Sequence, residues 1–135
     1  MRQIDKIIIH CSATIEGKDF KAGDIDNWHK ARGFTCIGYH YVVDLDGTVE
    51  KGRSDDTVGA HCAGQNASSI GVCYIGGLDK NKKSKDTRTH AQKQALLKLL
   101  KELKGKYPKA IIYGHCDFAN KACPCFDAKG EYKNL

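Results

Sequence analysis

The stretch Lys6-Ile7-Ile8-Ile9-His10, KIIIH, decides how this chain is read. A run of β-branched residues closed by an imidazole has the pattern of a short buried strand whose end delivers His10 to a surface or cleft. A second run repeats the arrangement: Ala110-Ile111-Ile112-Tyr113-Gly114 is strand-like and delivers His115. Between them, Tyr39-His40-Tyr41-Val42-Val43-Asp44, Asp46-Gly47 and Thr48-Val49-Glu50 form a hairpin pattern with Asp-Gly as its turn. Strand alternation then puts Tyr39, Tyr41 and Val43 on one face and His40 and Val42 on the other. The segment from Ile70 to Ile75 is a further strand, following the glycine-rich loop Val58 to Asn66. Helical periods interleave with these strands. From about Ala22 to Arg32, Ile25, Trp28 and His29 fall at helical spacing and Gly33 stands at the stop. Thr89-His90-Ala91-Gln92 reads as a capping box ahead of Leu96, Leu99, Leu100, Leu103 and Tyr107, and Pro108 ends that helix. The fold class is therefore α/β: a single mixed β-sheet flanked by about three helices.

The chain has 135 residues, 41% of them hydrophobic and 28% charged, which suits one domain over residues 1–135 with a single core and no room for a second. The opening residues carry no apolar run after their charge, and the later apolar runs are too short to span a bilayer. The expectation is a protein made in the cytoplasm without a signal peptide, with no membrane partner. Seven cysteines cannot all pair within one molecule, and a leaderless chain favours thiols or metal ligands over a disulfide framework. The net charge of +6 suits an anionic partner, but much of the excess lies in Lys80 to Lys85 and the helix beyond. No nucleic-acid motif accompanies it, so no nucleic-acid partner is expected.

Two histidines at strand ends, with cysteines soon after the second, make a candidate metal site at the strand ends. Zinc suits this donor set: it accepts imidazole nitrogen at about 2.0 Å and thiolate sulfur at about 2.3 Å, and three protein ligands leave one position open. The late stretch Lys121-Ala122-Cys123-Pro124-Cys125 offers two thiols. Extended residues at i and i+2 share a face, so Lys121 and Cys123 can approach one point, and so can Cys125. Chain geometry does not choose between the thiols.

The pieces His10-Cys11-Ser12-Ala13-Thr14, Trp28-His29, Gly38-Tyr39-His40-Tyr41, Gly59-Ala60-His61, Ser69-Ile70-Gly71-Val72-Cys73 and Lys121-Ala122-Cys123-Pro124 resemble, in order and spacing, the zinc amidases of the bacteriophage lysozyme and peptidoglycan recognition protein superfamily (amidase type 2). That resemblance implies His10, His115 and Cys123 as zinc ligands and catalytic assistance from Tyr39 and Lys121. Cys125 stands where related enzymes carry a small polar residue. The implied activity is that of an N-acetylmuramoyl-L-alanine amidase, hydrolysing the amide between N-acetylmuramic acid and the L-alanine of peptidoglycan. A phage or prophage endolysin fits, acting as a monomer on the wall after release or export. His61 and Asn66, in the glycine-rich loop, are candidates for substrate binding. His40 reads as a hydrogen-bonding structural residue, His29 as helix packing and His90 as exposed. Cys11, Cys36, Cys62, Cys73 and Cys116 read as small, partly buried apolar residues. Two alternatives are a non-catalytic peptidoglycan-binding protein of the same fold and a basic nucleic-acid-binding protein; an intact ligand set argues for the enzyme.

Overall fold

The computed structural model describes residues 2–135. Its elements run β1 (Lys6–Cys11), β2 (Thr14–Ile15), α1 (Ala22–Ala31), β3 (Tyr41–Val43), β4 (Val49–Lys51), β5 (Ser69–Tyr74), β6 (Gly77–Leu78), α2 (His90–Lys106), β7 (Ile111–Gly114) and α3 (Ala128–Glu131), with single 3-10 turns at 66–68 and 115–117. Five strands form a mixed sheet in the order β4-β3-β5-β1-β7, and β2 pairs with β6 in a separate parallel ribbon. The isoleucine run is the middle of the parallel part, with β5 on one side and β7 on the other. A strand paired on both edges and covered on both faces has to be apolar throughout, and Ile7, Ile8 and Ile9 are fully buried.

The pleat divides the core into two layers. Ile7, Ile9 and Cys11 of β1, with Ile70, Val72 and Tyr74 of β5, pack beneath Leu96, Leu99, Leu100 and Leu103 of α2 and Tyr132 beyond α3. Residues of the opposite parity, Val42, Cys73 and Ile75, meet Ile25 of α1 on the other side. His10, even-numbered in β1, therefore belongs to the α1 face.

Local sequence chemistry sets the element ends. Thr89 Oγ1 accepts the Gln92 N–H (3.0 Å) while the Gln92 side chain accepts the Thr89 N–H (2.9 Å), completing the capping box. The same Gln92 amide donates to the Ile75 carbonyl at 2.9 Å, fixing α2 to the sheet. At the end of α1, Gly33 takes φ +97° and the Phe34 N–H returns to the His29 carbonyl. Gly47 adopts φ +89° in the β3–β4 hairpin turn.

Several expectations change. Pairing of β3 begins only at Tyr41, so Tyr39 lies outside the regular alternation. It packs with Val42 on the α1 side, while Tyr41 and Val43 join the α2 layer. Trp28 is exposed, its ring edge-on to Phe20. Cys116 is exposed, not partly buried. Among the described residues no helix is long and apolar enough to cross a membrane.

Candidate metal centre and cleft

β1 and β7 are parallel neighbours with Ile9 opposite Gly114. Continuing that register by one residue places His10 beside His115, and their ring centroids lie 4.6 Å apart. Strand pairing thus brings together two histidines far apart in sequence. The third member arrives from the loop before α3. Cys116 N–H donates to the Cys123 carbonyl at 2.8 Å, and the buried Tyr74 hydroxyl donates to the Pro124 carbonyl at 2.6 Å. These bonds seat the loop against the strand ends, where the Cys11 N–H points at Cys123 Sγ (3.2 Å).

One donor atom from each of His10, His115 and Cys123 lies within 4.8 Å of the others. His10 Nδ1 is 3.9 Å from Cys123 Sγ, and its other ring nitrogen, Nε2, is 2.8 Å from His61 Nδ1. Nδ1 is accordingly the nitrogen that His10 turns toward the thiol. Burial holds the His10 imidazole well below its ordinary pKa, helped by His61, His115 and Lys121 nearby. Burial and Lys121 also lower His115. Both rings are neutral at pH 7, the state a metal ligand requires.

Cys125 is not part of this cluster. Its backbone has φ +70°, and its thiol points at the Gly77 carbonyl (3.3 Å) with Sγ 3.9 Å from Cys11 Sγ. Burial and then Cys11 raise its pKa to about 11. Structure therefore separates two thiols that chain geometry left equivalent.

A cleft of about 470 Å³ opens beside the cluster, with Arg32, Phe34, Tyr39, His61, Phe118 and Lys121 in its walls. Lys121 is exposed and Tyr39 half-buried. The Tyr39 ring lies 5.0 Å from that of His10, and burial holds its hydroxyl well above the usual phenol range. Asn66 also lines the cleft, but its Oδ1 is occupied by the N–H groups of His61 and Cys62, at 2.9 and 3.0 Å. It shapes the loop that carries His61. His29 is more than helix packing: it lines the cleft and its Nδ1 accepts the Gly38 N–H at 2.8 Å. His40 is fully buried and structural, its Nδ1 accepting the Gly71 N–H (3.0 Å) while Nε2 faces the Thr57 carbonyl (2.8 Å). Arg32, at the end of α1, was not singled out from sequence; a lone arginine beside a helix stop carries no signal of its place.

Comparison with known proteins agrees with this architecture. The family model for N-acetylmuramoyl-L-alanine amidase matches residues 1–126. The endolysin of Klebsiella phage KP32 is 45% identical over 128 residues, covering 95% of this chain and 85% of that protein. Among solved structures, the N-acetylmuramoyl-L-alanine amidase LysC from Clostridium intestinale superposes with a TM-score of 0.81 at 29% identity, over 96% of this chain and 82% of that one. The ectodomain complex of the peptidoglycan recognition proteins LCa and LCx, solved with tracheal cytotoxin bound, gives a TM-score of 0.80 at 27% identity over 100% of this chain and 84% of that one. With a family model spanning nearly the whole sequence and an endolysin relative at this identity, the chain belongs to the N-acetylmuramoyl-L-alanine amidase family and is an amidase of that kind.

Proposed function

We propose that this chain is a zinc hydrolase that cleaves the amide joining N-acetylmuramic acid to L-alanine in peptidoglycan, working as an endolysin. The observation that carries the reading is the convergence of His10, His115 and Cys123 beside a cleft walled by Tyr39 and Lys121. Two neutral imidazoles and a thiol suit a borderline-soft cation, and one donor atom from each residue lies within 4.8 Å of the others, near enough to converge on one ion with a small contraction. Those three residues would hold the zinc, which when bound supplies Lewis acidity, bringing the pKa of water toward about 7 and polarising a carbonyl.

The rest of the chemistry belongs to the chain. Hydrolysis joins a water oxygen to the lactyl carbonyl carbon, breaks the C–N bond and releases the alanine amine with a proton. Lys121 extends an ammonium from the exposed side of the cleft to donate to the carbonyl oxygen as negative charge develops there. Tyr39, a neutral phenol at pH 7, orients the attacking water or shares the oxyanion through its O–H. Neutral His10 and His115 rings each have one nitrogen with a free lone pair to offer as a ligand. Peptidoglycan is the partner, residues 1–135 act as one catalytic domain and as a monomer, and the wall is reached after release or export.

Mass spectrometry of purified peptidoglycan digested with the protein tests this reading. Free stem peptides ending in L-alanine, with intact glycan strands, are expected. New reducing sugar ends would contradict it, since they mark glycoside cleavage by paired carboxylates.

A further inference from the structure

His61 entered as a candidate substrate-binding residue, yet its polar atoms face inward. Nδ1 lies 2.8 Å from His10 Nε2, and Nε2 lies 3.2 Å from the hydroxyl of Ser69, a fully buried residue that opens β5. Both ring nitrogens are thus engaged with the protein, leaving neither for a ligand in the cleft. The fold also makes room for this ring at specific positions. A Cβ on Gly71 would stand 2.6 Å from His61 Cδ2, and one on Gly59 would stand 2.7 Å from the same atom. Two glycines therefore let the imidazole lie against β5 and its neighbouring loop. On the far side, Asn66 accepts the His61 N–H and fixes the backbone that carries the ring.

We propose that His61 is a positioning residue for the metal centre: with Ser69 behind it, it fixes His10 as the tautomer protonated on Nε2 and so presents Nδ1 as a lone pair toward Cys123. The tautomer logic is short. A neutral imidazole has one donor and one acceptor nitrogen. Only if His10 Nε2–H donates to His61 Nδ1 does His10 Nδ1 keep its lone pair. His61 must then carry its own proton on Nε2, and the Ser69 hydroxyl is placed to accept it. The reverse arrangement, with His61 Nδ1–H donating to His10 Nε2, protonates Nδ1 and removes His10 from the ligand set. A partner of this kind around a metal-binding histidine typically contributes about 10–100-fold in metal affinity.

This inference rests on His10 being a zinc ligand, and the experiment separates the two. In the zinc-loaded protein, nitrogen-15 NMR of the imidazoles is expected to show both His10 and His61 protonated on Nε2. The opposite tautomer at either ring would overturn the proposal. His61→Ala is expected to weaken zinc binding, measured by chelator competition, by about 10–100-fold, with KM for muropeptide nearly unaltered. His61→Asn, whose Oδ1 can accept where Nδ1 did, is expected to recover part of that loss. Unaltered zinc affinity in His61→Ala together with a raised KM would return the residue to the substrate and sink the idea. Should His61→Ala fail to fold, Ser69→Ala tests the same relay from behind: a several-fold loss of zinc affinity supports it and unaltered affinity refutes it. Failure of the parent protein to bind zinc at all would instead defeat the metal-centre reading.

Discussion

Cys125 places its Sγ 3.9 Å from the Sγ of Cys11, one residue beyond His10, while Cys123 places its own Sγ 3.9 Å from His10 Nδ1. Two thiols separated only by Pro124 thus both touch Cys11, but it is Cys123 that faces His10. Cys123→Ser is expected to weaken zinc binding sharply and abolish wall lysis, because a neutral hydroxyl is a far poorer ligand than a thiolate. Cys125→Ser should keep both metal content and turnover. Elemental analysis and lysis assays under reducing conditions check this; reversed outcomes would move the ligand to Cys125.

Tyr39 and Lys121 line the cleft and are outside the three-donor cluster. Tyr39→Phe and Lys121→Met are therefore expected to retain zinc and lose turnover by about 100-fold or more, the scale seen when an oxyanion donor is removed. Zinc content and kcat measured on the same preparations decide the matter. Loss of metal in either variant would show that a ligand had been misassigned.

Asp44, 2% exposed, sits between the β3–β4 turn and the start of α1, and its Oδ1 has no hydrogen-bond partner. Burial and then the nearby Glu50 raise its pKa to about 7, opposed by Lys21 at 3.7 Å. Glu50 itself accepts the Ala22 N–H at 2.8 Å. A carboxyl whose folded pKa exceeds its unfolded value of about 3.9 binds its proton more tightly when folded, so its contribution is full below about pH 4 and is lost as pH rises through about 7. Urea midpoints taken from pH 4 to 8 should show this decline, and Asp44→Asn should flatten it. An unaltered slope in the variant would exclude Asp44 as its source.

Asp55 behaves in the opposite sense. Burial would raise its pKa, but Lys106 at 2.7 Å, Lys51 and the Tyr41 hydroxyl at 2.9 Å hold it well below the usual carboxylate range. Its contribution is present above the unfolded pKa and lost as pH falls through the lower folded value. Asp55→Asn should cost on the order of 1 kcal/mol at pH 7, because Lys51 and Lys106 are each about half exposed and solvent screens them, and should reduce acid sensitivity below pH 4. Equilibrium unfolding at pH 7 and pH 3 tests both expectations.

What the sequence revealed was what neighbours along the chain decide. The isoleucine run, the Asp-Gly turn and the Thr89–Gln92 box each depend on residues a few positions apart, and each forms as read. The pairing of His10 with His115 was legible for a related reason: two similar strands end alike, and parallel register then sets their ends side by side. Tyr39 was read on the wrong face because the regular ladder begins at Tyr41, a boundary invisible in the hairpin's own alternation. His61 was named from sequence as a cleft residue, but its partners were not legible, for a different reason. Its contacts with His10 and Ser69 arise only when a loop folds across Gly71, and a glycine in a strand does not name the ring that will cover it.

The central position of β1 also dictates the order in which the molecule matures. Lys6 pairs with Ser69 on one edge and with Ile111 on the other, so β1 acquires its second neighbour only after β7, about a hundred residues later, has been made. His10 is made about a hundred residues before His115 and Cys123, and in a nascent chain it has nothing to converge with. Synthesis and assembly of the cluster are thereby separated in time: a polypeptide still being translated, or one cut short ahead of Cys123, lacks the third of the three converging donors.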